Sequence, residues 1–199
     1  MDETALIQEA QRGNLDSFNT LVLNYQDMLF NTALRIMGDQ EAAADATQEA
    51  FLSAYKAMRK FRGGSFKSWL LRIVTNACYD QLRYKQRRPT SSLDNLPVEA
   101  DHTYYLEDES ELPDEYVERR ELNRLIQDGI ADLPVEQATV LVLSDVQGMS
   151  YNEIADALDL SLGTVKSRLS RARAKLRDFM TEKGELLPAR YRLRVDEAT

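Results

Sequence analysis

Residues 150–177 read SYNEIADALDLSLGTVKSRLSRARAKLR. Ser150 followed three positions later by Glu153 predicts a capping box, and Tyr151, Ile154, Ala155 and Leu158 then fall on one face of a short helix. Ser161 is positioned to cap a second helix, whose apolar face is Val165, Leu169, Ala172 and Leu176. That spacing turns Lys166, Ser167, Ser170, Arg171, Arg173 and Lys175 outward. From Lys166 to Arg177 there are six bases and no acid. A helix of this kind fits the major groove of DNA, where arginine or lysine pairs with guanine acceptors and serine contacts several bases. Arg173, Lys175 and Arg177 are expected to meet phosphates, and the earlier residues to meet bases. A solvated basic helix is the plainer alternative, but a capped helix, a short turn and an acid-free row together favour a DNA reader.

The rest of the chain sets the limits on what carries this pair. In 199 residues there is room for one or two small domains, and no apolar run approaches the ~20 residues of a membrane span. The acidic start, MDETALIQEA, is unlike a secretory signal, so a cytoplasmic location without direct membrane insertion is expected. Cys78 is the only cysteine and His102 the only histidine, which leaves no internal disulfide and little from which to build a metal site. No convergent carboxylate cluster, phosphate loop or nucleophile with its base is visible, so neither a cofactor nor an enzyme is expected.

Net charge is −8, which on average disfavours nucleic acid. The average hides a sharp alternation. Arg59 to Arg88 carries nine bases against Asp80 alone, whereas Leu93 to Glu121 carries eleven acids against Arg119 and Arg120. The chain is basic, then acidic, then basic again, and two separate cationic patches are the footprint of phosphate contact.

Helical periods account for most of the remainder. Helices are predicted over Asp2–Arg12, Leu15–Met37, Glu41–Lys60, Phe66–Arg87, Asp114–Asp132 and Pro134 to near Gly148. Ala46, Ala50 and Ala54 recur four apart, which lets a neighbouring helix come close. On the same helix Asp45, Gln48, Glu49 and Leu52 share one stripe, read from spacing alone as a solvated face. In the fourth helix Trp69, Leu70, Ile73, Ala77 and Leu82 form a candidate buried stripe, leaving Arg72, Asn76, Arg83 and Arg87 to face elsewhere. In the helix from Asp114, Val117, Leu122, Leu125, Ile126 and Ile130 are assigned to the inner side. The fold class is therefore all-α: two small helical domains, 1–89 and 114–183, joined by an acidic flexible linker, 90–113, with a tail over 184–199. The second domain ends in the helix-turn-helix.

Three stretches carry a family resemblance: DATQEAFLSAY at 45–55, FRGGSFKSWLLRIVTNACYDQLR at 61–83, and LPVEQATVLVLSDVQGMSYNEIADAL with SLGTVKSRLSRARAKL at 133–176. In that order and spacing they resemble the bacterial extracytoplasmic-function (ECF) sigma factors, sigma-70 family subunits of RNA polymerase that keep only regions 2 and 4. The resemblance implies that the chain binds core RNA polymerase, recognises minus-35 and minus-10 promoter DNA and helps open it. It further implies that Asp45, Gln48, Glu49 and Leu52 face the clamp helices of the polymerase's largest subunit, which reverses the solvated reading. Arg72 and Asn76 match positions that contact the minus-10 element. The loop from Phe61 through Arg62 to Phe66 matches the one that captures an extruded base, a step that offsets unstacking through a shaped pocket and stacking. Lys166, Ser167, Ser170 and Arg171, with Arg173 beside them, match the minus-35 reading positions. Trp69 reads equally well as core.

The pattern also departs from the family. Ala138 and Ser144 stand where a base is common, and Ser170 where some relatives place an aromatic. An anti-sigma factor is the partner the resemblance implies. The acidic linker is expected to thread the polymerase cleft and, in the free chain, to cover basic surfaces through Glu107, Asp108, Glu109 and Glu111. A helix-turn-helix regulator acting without polymerase is the competing reading, and it leaves 45–55 and the glycine loop without a role.

Overall fold

The structure, a computed structural model, describes residues 2–87 and 113–183. The acidic linker up to Leu112, Arg88 and the tail 184–199 lie outside the described residues. Within them there are eight α-helices and no strand: α1 Glu3–Gln11, α2 Leu15–Met37, α3 Gln40–Ala57, α4 Phe66–Arg87, α5 Pro113–Ala131, α6 Val135–Leu141, α7 Tyr151–Leu158 and α8 Leu162–Glu182.

Helices α1 to α4 form the first unit, and local chemistry sets their ends. The Asn14 side chain accepts from the N–H groups of Asp16 and Ser17 at 3.0 and 3.2 Å, starting α2. Gly38, at φ +69°, stops α2 while its N–H donates to the Leu34 carbonyl. Asp39 then caps α3 by accepting from Ala42 N at 2.7 Å. Ala43, Ala46, Ala50 and Ala54 are each at most 1 % exposed, so α2 and α4 pack directly against the α3 backbone. The predicted third helix breaks earlier than its period suggested, with α3 ending at Ala57 and Met58–Lys60 tightening into a 3₁₀ turn.

The apolar arc of α4 is wider than a single stripe. Leu70, Leu71, Val74, Ala77 and Cys78 are buried, while Trp69, Ile73 and Leu82 are only half-buried, because α2, α3 and α7 all pack on this helix. Burial pushes the Cys78 thiol up to about 12, so it is a small core side chain and not a reactive group at neutral pH.

The second unit is built by α5 to α8. Burial on α5 concentrates at Gln127, Gly129 and Ile130 near its C-terminal end; Val117, assigned inward from spacing, is instead 52 % exposed. The helix predicted from Pro134 to Gly148 is two segments. After α6 the chain widens into a π-type turn over Val142–Val146, with Gln147 N–H donating to the Val142 carbonyl at 2.9 Å. The capping box on α7 is present in both directions, and Ser161 caps α8 by accepting from Thr164 N at 3.1 Å. Between them Asp159 takes the left-handed conformation at φ 53°, and Leu160 N–H closes the corner on the Ala155 carbonyl at 2.9 Å.

The two units pack against one another, α2 on α5 and α6, and α4 on α7. Gln127 Nε2 reaches the Arg35 carbonyl at 3.5 Å.

Gly129 lies at a close approach of α5 and α8. A Cβ there would lie 2.6 Å from Leu176 Cδ1 and 2.8 Å from Phe179 Cδ1. Gly129→Val is therefore expected to destabilise the protein by about 2 kcal/mol through overpacking, read as a lowered denaturant midpoint. A midpoint at or above wild type would contradict that packing.

Candidate nucleic-acid interface

The first basic patch is a surface of the α3–α4 corner. Arg59, Lys60, Arg62, Arg72, Arg83 and Lys85 are all exposed, whereas Lys67 is half-buried with its ammonium donating to the Gln147 carbonyl at 2.6 Å. Asp45, Gln48, Glu49 and Leu52 are also exposed, with Leu52 at 49 % although it is apolar. A groove of about 990 Å³ runs between α3 and α4. Asp45 and Glu49 form one lip, and Trp69, Arg72 and Asn76 the other. Asp45 and Glu49 of the polar stripe and the Arg72–Asn76 pair, far apart in sequence, thus share one concave face, which spacing along single helices cannot show.

The aromatics at the two ends of the glycine loop lie beneath it. Arg62, Gly63 and Gly64 are exposed, the two glycines at φ +94° and +88°. Phe61 and Phe66, however, are buried at 9 % and 3 %, so neither ring stands out as a stacking platform for a flipped base. Their centroids lie 5.4 Å apart in an edge-to-face pair, and both contact Trp69, at 5.1 and 5.4 Å; Tyr25 closes on Phe66 at 5.6 Å. The rings hold the loop from beneath, and Gln11 Nε2 ties it to α1 through the Phe61 carbonyl at 2.6 Å.

The second basic patch lies along α8. Lys166, Ser167, Ser170 and Arg171 are all exposed on the face opposite Val165, Leu169 and Ala172, which are at most 2 % exposed. Arg173 differs. Its Nε and Nη2 donate to the two carboxylate oxygens of Asp145 at 2.9 and 2.6 Å, a bidentate pair that ties the middle of α8 to the turn before α7. The arginine holds the Asp145 carboxyl below its usual range, with Ser144 adding a hydrogen bond, while Asp145 raises Arg173 in turn. A guanidinium so engaged holds α8 to the preceding turn, and its charge is partly neutralised.

Sequence reasoning missed the link between the patches. Ser68 Oγ donates to Glu153 Oε1 at 2.6 Å, and the other oxygen, Oε2, accepts from Ser150 N at 2.9 Å and Ser150 Oγ at 2.8 Å. Ser68 first, then Ser150, holds the Glu153 carboxyl below its usual range. No signal within either helix predicts a bond across 85 positions. Among the described residues no group of three or more metal-binding side chains converges, and no helix is long and apolar enough to cross a membrane.

Known proteins share this architecture. The family model for sigma-70 region 2 matches residues 21–88, and that for sigma-70 region 4 matches residues 123–176. The RNA polymerase sigma-H factor of Pseudomonas aeruginosa is 36% identical over 174 residues, covering 84% of this chain and 88% of that protein. The ECF RNA polymerase sigma-E factor of Escherichia coli is 34% identical over 175 residues, covering 87% and 91%. The chain belongs to the extracytoplasmic-function branch of the sigma-70 family. Among solved structures, this sigma factor is similar to CnrH in its complex with the cytosolic domain of CnrY, with a TM-score of 0.62 and 28% identity over 88% of this chain and 95% of that one. Region 2 of the sigma factor thus carries the α3–α4 groove, and region 4 carries α8.

The Asp145–Arg173 pair makes a pH-dependent prediction. Because the folded carboxyl is held low, its contribution to stability is complete above the unfolded value of about 3.9 and is lost as pH falls through the folded one. Asp145→Asn should melt below wild type at pH 7 and converge with it in the acid range. In DNA binding, Lys175→Ala should lower the salt slope by about 1, whereas Arg173→Ala should change it by less than half of that. Equal slope losses would show that Arg173 meets phosphate as fully as Lys175.

Proposed function

We propose that this sigma factor joins core RNA polymerase through the exposed face of α3, reads a minus-35 element with α8 and reads a minus-10 element with α4 and the glycine loop. Asp45, Gln48, Glu49 and Leu52 meet the polymerase clamp helices. Leu52 supplies the apolar anchor, and the surrounding acids complement a basic partner. Lys166, Ser167, Ser170 and Arg171 contact the major groove. Arg72 and Asn76 contact the minus-10 region where the strands part, with Arg62 steering the displaced strand and the buried rings of Phe61 and Phe66 keeping the loop in shape. The chain performs no chemistry of its own and acts in the cytoplasm, held in check by an anti-sigma factor that competes for these faces.

The observation that carries this reading is an exposed leucine, Leu52, on the same helix as Asp45 and Glu49, whose carboxylates share one groove with the Arg72–Asn76 pair, together with an exposed row of bases on α8. A regulator that never joined polymerase would have no use for the first of these.

Run-off transcription with core polymerase tests it. Adding the chain should produce promoter-directed transcripts that core alone does not make. Leu52→Asp should reduce core binding by about 30-fold or more, the loss of one hot-spot contact of about 2 kcal/mol, while leaving the affinity of the free chain for minus-35 duplex unchanged. A chain that binds promoter DNA but neither binds core nor supports run-off would overturn the proposal.

A further inference from the structure

The groove between α3 and α4 pairs an apolar floor with an acidic rim. Trp69 and Ile73, both half-buried, form the floor with Ala77, and Tyr84, 60 % exposed, continues it toward the end of α4. Three carboxylates, Asp45, Glu49 and Asp80, line it against the bases Arg72 and Lys85. Lys85 Nζ lies 3.9 Å from Asp39 Oδ1, which does not line the groove, so part of the opposing charge is directed away. Such a surface fits a chain that is apolar on one side and cationic on the other.

The sequence carries that pattern after α8. Residues 190–195 read RYRLRV, in which Arg190, Arg192 and Arg194 alternate with Tyr191, Leu193 and Val195 and no acid intervenes. An extended chain of this pattern puts three arginines on one side and three apolar side chains on the other. Its arginines recur every ~6.6 Å, close to the ~6 Å that separates Asp45 from Glu49 along α3. The segment 90–112 is nearer to the groove in sequence, but it carries acids and no lysine or arginine. Reach is also sufficient. Phe179, near the end of α8, lies against Gly129 of α5, Gln127 of α5 reaches the Arg35 carbonyl of α2, and Asp39, just beyond α2, pairs with Lys85 at the end of the groove. From Lys183 to Val195 an extended chain covers about 40 Å, more than the ~33 Å length of the whole of α4.

We propose that residues 190–195 of the same chain dock in the α3–α4 groove, with Tyr191 and Leu193 against Trp69 and Ile73 and the arginines against Asp45 and Glu49. A guanidinium fork matches a carboxylate geometrically, which suits this rim. Resting on the sigma-factor reading, the docked segment covers groups that meet polymerase and the minus-10 strand, and so competes with both.

Trp69 is the only tryptophan in the chain and reports on the groove directly. In the full-length protein, Arg190→Glu, Arg192→Glu and Arg194→Glu together should raise acrylamide quenching of Trp69 at least twofold while the circular dichroism spectrum stays unchanged. Adding Asp45→Arg and Glu49→Arg to that chain should return the quenching to the wild-type level, a rescue that a general loosening of the fold would not show. Wild-type quenching should not depend on protein concentration; protection that grows with concentration would put a second copy in the groove and overturn docking within one chain. Quenching that the tail reversal leaves unchanged would overturn the proposal outright. The tail reversal should also tighten binding to core polymerase severalfold. A newly exposed Trp69 with no gain in core affinity would uphold the docking and overturn instead the placement of polymerase on α3.

Discussion

The close approach of α3 to α2 and α4 governs the first unit. Four alanines one turn apart, Ala43, Ala46, Ala50 and Ala54, leave no side chain long enough to hold the neighbours away, so both come down onto the α3 backbone. The opposite face has nowhere to be but solvent, and it carries Asp45, Gln48, Glu49 and Leu52. A larger residue in the stripe would shift α4, and with it Arg72 and Asn76, which share a groove with Asp45 and Glu49. The residues proposed for polymerase attachment and for strand recognition are thus positioned by one packing constraint.

In the second unit the equivalent work falls to short polar contacts. Glu153 closes the capping box on α7, and Arg173 grips Asp145, fixing α8 to the turn that precedes α7. Lys166, Ser170 and Arg171 can then stay exposed, because the inner face and the ion pair already hold the helix. Charge segregation serves the same end. A chain with a net charge of −8 presents two cationic faces because its acids are gathered largely between them in sequence.

Helix identity, both caps of the helix-turn-helix and the exposed rows on α3, α4 and α8 were legible in the sequence, since each depends on spacing within one helix. Features that depend on contacts between helices were not. The ring cluster beneath the glycine loop, in which Phe61 and Phe66 pack on Trp69 and Phe66 on Tyr25, is one of these. Arg173 looked like its neighbours on α8 until Asp145, 28 positions earlier, was brought beside it. Val117 obeyed the helical period but lies beyond the part of α5 that α8 covers. The π-type turn at Val142–Val146 leaves no compositional mark, and neither does the seam between Ser68 and Glu153.

The proposed attachment of α3 to core polymerase is tested most directly by photo-cross-linking from a benzophenone maleimide on the Leu52→Cys chain, since Leu52 is exposed and Cys78 is fully buried. In an active holoenzyme the probe should capture the largest subunit of the polymerase. An active holoenzyme in which it captures no polymerase subunit would contradict that placement.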